Sequence, residues 1–215
     1  MDRRTASFAL LATLSLAGCA STPPAANPQD AFWSALASHC GKAYGGAMSS
    51  NDEADADFRG AAMVMHVREC SEGEIRVPFH VQRADGSWDR SRTWVLTRTD
   101  AGVSGGLRLK HDHRHEDGTH DAVTMYGGDT SDDGTPSAQA FPVDAESIAL
   151  FTREGLTASL TNIWSVEVDP VGAPDARFAY QLKRTVAGGA PAERLFRVTF
   201  DLTRPVAAPP PPWGH

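Results

Sequence analysis

The stretch GLRLKHDHRHEDG, residues 106–118, alternates apolar or imidazole side chains with charged ones and ends near an Asp-Gly pair. Successive side chains of a β-strand point to opposite faces, so the stretch predicts a strand with two leucines and then His111, His113 and His115 on one face. Asp-Gly reaches the positive φ angles that tight hairpin turns require. A long strand followed by a tight turn is the repeating unit of an antiparallel meander.

The same unit recurs along the chain. Runs rich in Val, Ile, Phe, Trp and Thr are separated by Asp-Gly, Glu-Gly or Gly-Gly turn signals. Long strands joined by tight turns predict an all-β fold, an antiparallel up-and-down barrel of about nine strands. The predicted strands are Ala61–Cys70, Glu74–Gln82, Ser91–Thr99, Gly106–His115, Asp121–Gly127, Ala158–Val168, Arg177–Thr185 and Arg194–Leu202, with Gly41–Gly46 and Ala138–Pro142 as further short candidates.

Two segments show helical spacing instead. Between Gln29 and His39, Phe32, Trp33 and Leu36 recur at the spacing of one helix face, which predicts an amphipathic N-terminal helix. A second, short helix is predicted for residues 144–153. The last residues, 205–215, contain five prolines and predict an extended, disordered tail.

The N-terminal residues predict a secretion signal. Arg3 and Arg4 precede an apolar run, residues 8–16, that is too short to span a bilayer, and the run ends in Leu-Ala-Gly-Cys at residues 16–19. This tetrapeptide resembles the lipobox of bacterial lipoproteins. The resemblance implies cleavage after residue 18, a lipid anchor on Cys19, a flexible tether over residues 19–28 and, because alanine follows Cys19, retention at the outer membrane facing the periplasm.

The predicted lipid anchor also determines the roles expected for the three cysteines. If lipid occupies Cys19, then Cys40 and Cys70 are the remaining pair in an oxidising compartment, and we expect them to form a disulfide. Two buried free thiols are the alternative.

Composition limits the other possibilities. The 215 residues, 41% of them hydrophobic, suffice for one core, so residues 29–204 are expected to form a single monomeric domain. A net charge of −7 argues against nucleic acid as a partner, because no basic surface is present to neutralise phosphates. The expected partners are a membrane, through the lipid anchor, and a small ligand or metal.

The candidate site is the row of three histidines. His111, His113 and His115 continue the face of Leu107 and Leu109, which predicts that they point into the barrel near one rim. Two further histidines, His66 and His80, lie mid-strand and face either in or out.

Imidazoles two apart on one strand can share a transition metal such as zinc, with a third ligand from a neighbouring strand. The alternative is that these histidines are polar residues of a wet barrel mouth, hydrogen-bonded to their neighbours. At the entry to the adjacent predicted strand, Arg90 and Arg92 are expected to form cross-strand pairs with Asp112 or Glu116.

An N-terminal helix followed by a β-meander is similar in architecture to the calycin and lipocalin barrels, which hold small ligands inside. The mature sequence also resembles a group of secreted bacterial proteins to which no activity is attached. Three hypotheses follow: a lipoprotein that binds a small ligand or metal in its barrel without catalysis, a metal-dependent enzyme using the histidine row, and a structural or assembly lipoprotein of the envelope.

Overall fold

The computed structural model describes residues 27–99 and 106–215. The predicted signal peptide, Cys19 and most of the predicted tether lie outside the described residues. Within the described part, eleven antiparallel strands form one sheet that curves into a nearly closed barrel, which confirms the predicted all-β class. The elements are α1 (Pro28–Ala37), β1 (Ala43–Met48), a 3₁₀ helix (Glu53–Phe58), β2 (Met63–His66), β3 (Glu69–Cys70), β4 (Glu74–Gln82), β5 (Trp88–Thr99), β6 (Gly106–His113), β7 (Tyr126–Asp129), β8 (Ala138–Pro142), α2 (Ala145–Arg153), a second 3₁₀ helix (Thr157–Thr161), β9 (Ile163–Val168), β10 (Arg177–Arg184) and β11 (Arg194–Val206).

The strands follow one another around the barrel as an up-and-down meander. The order is β7-β6-β5-β4-β2-β1-β11-β10-β9-β8, and the short β3 pairs with β4 outside this path. Among the strands of residues 27–99 and 106–215, only the β1–β11 pair joins strands distant in sequence, because it brings the first strand to the last. Residues far apart along the chain therefore meet in one interior.

The barrel closes at a narrow seam between β7 and β8. The Asp144 N–H donates to the carbonyl of Gly127 at 3.0 Å, and Ser147 of α2 bonds both backbone groups of Gly127. A Cβ on Gly128 would lie 1.7 Å from the carbonyl oxygen of Pro142, so only glycine permits this approach. The seam is sealed by backbone contact and by α2 rather than by a strand ladder.

Helix α1 closes one end of the barrel. Its Phe32 and Leu36 are fully buried in the core, and the side-chain amide of Gln29 donates to Thr130 at 3.0 Å. Directly after the helix, Cys40 forms the predicted disulfide with Cys70 of β3. This end is therefore fixed by apolar packing and a covalent link.

The chain after β11 crosses the outside of the barrel and is called the strap (residues 207–215). Val206 pairs with β1, whereas the Trp213 N–H donates to the carbonyl of Arg90 on β5. Because β2 and β4 lie between β1 and β5, the strap must cross their outer faces. The guanidinium of Arg90 donates to the carbonyl of Pro211 at 2.7 Å. In place of the predicted disordered tail, residues 211–215 are bonded to the sheet.

Some predicted strands differ at their ends. The segment predicted over residues 61–70 is divided into β2 and β3, and β7 begins only at Tyr126. Strand β6 ends at His113, because the hairpin turn already begins at His115, which accepts from Gly118 and donates to Thr119. Both helices form where the spacing predicts them. No helix of the described residues is long and apolar enough to cross a membrane.

Candidate functional site

The end of the barrel opposite α1 contains an interior cavity of about 180 Å³, called the cup. Larger depressions, of about 440 and 490 Å³, lie on the outer surface of the sheet. The cup differs from them because its walls are the inward side chains of the strands, together with the first 3₁₀ helix, called the rim helix. Its lining consists of Asp55, Phe58, Phe79, Arg92, Trp94, His111, His113, Tyr126, Tyr180, Leu182, Arg194 and Phe196.

Aromatic rings from distant strands form the wall around Trp94. The Trp94 ring stacks on Phe79 of β4 at 4.8 Å between centroids and on Tyr180 of β10 at 4.5 Å, with interplanar angles of 11° and 19°. Aromatic pairs of this kind pack large apolar surfaces at low conformational cost. The wall is therefore largely apolar.

His111 is part of this wall. One ring nitrogen lies 3.0 Å from the carbonyl oxygen of Tyr126, and the other lies 2.8 Å from the hydroxyl of Tyr180. Burial lowers the pKa of His111 to about 3, so the ring is neutral at pH 7. A neutral imidazole has one donor and one acceptor nitrogen, and both are used here.

His113 and Tyr126 form the polar pair of the cup. The Nε2 atom of His113 lies 3.1 Å from the Tyr126 hydroxyl. Burial lowers the pKa of His113 to about 4 and raises that of Tyr126 to about 12, so both groups are neutral at pH 7. The pair then holds two protons, one N–H and one O–H, of which their mutual hydrogen bond uses one. The other proton remains to be donated.

Arg92 brings a charge to the cup. In the β5–β6 register it lies directly opposite His113, and its guanidinium stands over the ring of Phe58 at 5.7 Å. It donates to Asp89 of its own strand, so the predicted cross-strand pairing of Arg92 with Asp112 or Glu116 is wrong. Its charge also acts to lower the pKa values of His113, Tyr126 and Tyr180.

The rim helix lies across the mouth of the cup. Asp55 of this helix is buried and accepts two hydrogen bonds from the guanidinium of Arg194 on β11. The Phe58 ring packs edge-on against Phe196 at 5.5 Å. The Asp55–Arg194 pair, a second contact of Arg194 with Asp52 at 3.2 Å and the aromatic contact therefore hold the helix over the cavity.

The structure separates the five histidines predicted as a site. His111 and His113 face the cup, but His115 lies beyond the end of β6 and is exposed. His66 and His80 are on the outer faces of β2 and β4, because Met65 and Phe79, their neighbours, point into the core.

Both ring nitrogens of His80 are buried without a hydrogen-bond partner on the described part of the chain. Burial lowers its pKa to about 4. Within residues 27–99 and 106–215, no three His, Cys, Asp or Glu side chains are arranged to hold a metal ion.

Sequence reasoning missed most of the cup lining. Tyr126, Tyr180, Phe196 and Arg194 come from β7, β10 and β11, and no local motif connects them with β6. The alternation of side chains along each strand predicts which residues point into the barrel. It does not show which strands face one another across the barrel.

Comparison with known proteins finds no match for this chain among protein families, curated proteins or solved structures.

Proposed function

We propose that this protein binds a small ligand in the cup and is held at the outer membrane, on the periplasmic side, by a lipid on Cys19. The observation that supports ligand binding is the cavity itself. It lies inside the barrel end opposite α1 and combines an aromatic wall with a few polar groups, the composition typical of small-molecule sites.

The cavity volume limits the ligand. An apolar cavity of about 150 Å³ in another protein takes up benzene. A cup of about 180 Å³ is therefore suited to a molecule with one ring and one small substituent. Larger ligands would require displacement of the rim helix.

Binding is favoured over catalysis by the state of the imidazoles. Both nitrogens of His111 are engaged by Tyr126 and Tyr180, so this ring cannot act as base or metal ligand without breaking the wall. No triad of metal-ligating side chains surrounds His113 in the described residues. The metal-dependent enzyme is therefore the weaker hypothesis.

A matched pair of leucines tests the proposal. Leu182 lines the cup, whereas Leu195, on the paired strand β11, is exposed. Titration with benzyl alcohol, followed by ¹H–¹⁵N NMR, is expected to shift the signals of Tyr126 and Tyr180 in the native protein and in Leu195→Phe. In Leu182→Phe the added ring fills the cavity and the shifts are lost.

The proposal fails if benzyl alcohol shifts no cup residue, or if Leu182→Phe binds as well as the native protein. Either result would favour the envelope assembly role, in which the barrel interior serves only as a core.

The membrane anchor is supported by the sequence at residues 16–19 and by the tether after it. Labelling of cells with a palmitate analogue is expected to mark the native protein and leave Cys19→Ser unmarked. Equal labelling of both proteins would refute lipidation at Cys19.

A further inference from the structure

We propose that the cup selects a one-ring aromatic acid, with the ring against the aromatic wall and the carboxylate at Arg92. This inference rests on the proposed ligand-binding role and specifies the class of ligand. It follows from the charge, the donors and the shape of the lining.

The charged groups that line the cup carry one net positive charge. The lining contains two guanidinium groups, Arg92 and Arg194, and one carboxylate, Asp55. Arg194 occupies both oxygens of Asp55, so this pair offers little charge to a ligand. The partner of Arg92, Asp89, lies outside the lining.

Arg92 retains donors for a second acceptor. A guanidinium has five N–H groups, and the bond to Asp89 uses one nitrogen, Nη1. The side chain is 28% exposed, so it is neither sealed in the core nor free in solvent. A planar carboxylate matches the fork geometry of the remaining donors.

The proton left over by the His113–Tyr126 pair lies on the same side of the cup. Arg92 is opposite His113 in the register, so the guanidinium and this polar pair are neighbours. Both tautomers of His113 leave one N–H or O–H of the pair available to donate. A ligand acceptor bound at Arg92 can therefore accept a second hydrogen bond from this pair. A ligand that carries only donors cannot use either group in this way.

The aromatic lining by itself would also suit a cation, because ring faces attract ammonium groups. Here Arg92 already stands over the ring of Phe58 at 5.7 Å. A ligand cation would meet the like charge of this guanidinium, and the free carboxylate it needs is absent from the described lining. The charge therefore selects an acid over an amine.

Three ligands of nearly equal size separate these cases: benzoate, benzamide and benzylamine. At pH 7 and low salt, isothermal titration and NMR are expected to give benzoate at least about tenfold tighter binding than benzamide, since a hydrogen bond to a charged group contributes more than a neutral one. Benzylamine is expected to bind most weakly.

The Arg92→Met variant is expected to lose about tenfold in benzoate affinity and to bind benzamide within about twofold of the native value. Arg153→Met, which removes an exposed arginine on α2, is the control of equal net charge and is expected to bind all three as the native protein does. Circular dichroism and the thermal midpoint verify that both variants are folded.

The outcomes separate the two proposals. If benzoate and benzamide bind equally, or Arg92→Met keeps the preference for benzoate, the cup binds one-ring ligands but the acid selectivity is refuted. If benzylamine binds best, selection is for a cation. If none of the three shifts the cup residues, the ligand-binding role fails as well.

Discussion

At one end of the barrel α1 inserts Phe32 and Leu36 into the core, whereas at the other the rim helix covers the cup with Asp55 and Phe58. The first contact is apolar and fully buried, and a disulfide ties the chain directly after the helix to β3. The second depends on an ion pair with Arg194 and on a partly exposed ring.

This difference separates the end of the barrel that stabilises the fold from the end that is proposed to bind a ligand. Apolar burial contributes free energy of folding in proportion to area, so the α1 end stabilises the barrel. At the cup end, polar groups are buried and space is left unfilled, both of which cost stability. Such a cost is expected where a protein keeps an interior surface for a ligand.

Replacement of one phenylalanine at each end tests this comparison directly. Phe32→Ala is expected to lower the free energy of unfolding by about 3 to 5 kcal/mol, because it leaves a cavity in the core. Phe58→Ala, at the rim, is expected to cost about 1 kcal/mol, since the ring is partly exposed. Urea unfolding of both variants measures the difference, and equal losses would contradict it.

Much of the fold follows from the sequence. Turn signals and alternation predict the strands, and the phase of His111 and His113 with two leucines correctly predicts that they point inward. The same reasoning fails at His115, because alternation continues past the residue at which the hairpin turn begins.

His66 and His80, on the outer faces of β2 and β4, show a second limit of prediction from sequence. Met63–His66 and the middle of β4 are buried on both faces, so the sequence carries no alternation that distinguishes inside from outside. On the outside of the barrel, the strap comes from the far end of the chain and bonds to Arg90 on the neighbouring strand β5. Its prolines predict an extended chain but contain no signal for the surface to which it binds.

Lower pH is expected to destabilise the protein through its buried histidines, of which His113 lies in the cup and His80 on the outer face. The pKa of His113 is about 4 in the folded protein, against about 6.5 in an unfolded chain. Between these values the unfolded state binds more protons, so stability falls as the pH drops from about 6.5 to about 4, by up to about 1.4 kcal/mol per pH unit for this group.

His113→Gln is expected to reduce this pH slope, because the side chain no longer titrates. His115→Gln, at the exposed end of the same histidine row, is the control and is expected to keep the native slope. The free energy of unfolding in urea at several pH values gives both slopes. A slope that His113→Gln leaves unchanged would show that acid acts elsewhere.

A small effect on global stability, similar to that of Phe58→Ala, is expected for Asp55→Asn, although this substitution breaks a buried ion pair. Loss of one partner of such a pair costs about 3 to 5 kcal/mol when the structure around it is fixed. The rim helix is joined to the barrel by short connections at the open end, so it can move and return Arg194 to water, and the cost cannot exceed that of this local opening.

We therefore expect a global loss of about 1 kcal/mol and a much larger increase in amide exchange confined to the rim helix. Asp57→Asn, an exposed position on the same helix, is expected to change neither. A global loss in Asp55→Asn as large as that of Phe32→Ala would mean that the rim helix is part of the core. The barrel would then have two fixed ends, and the cup would have no movable cover.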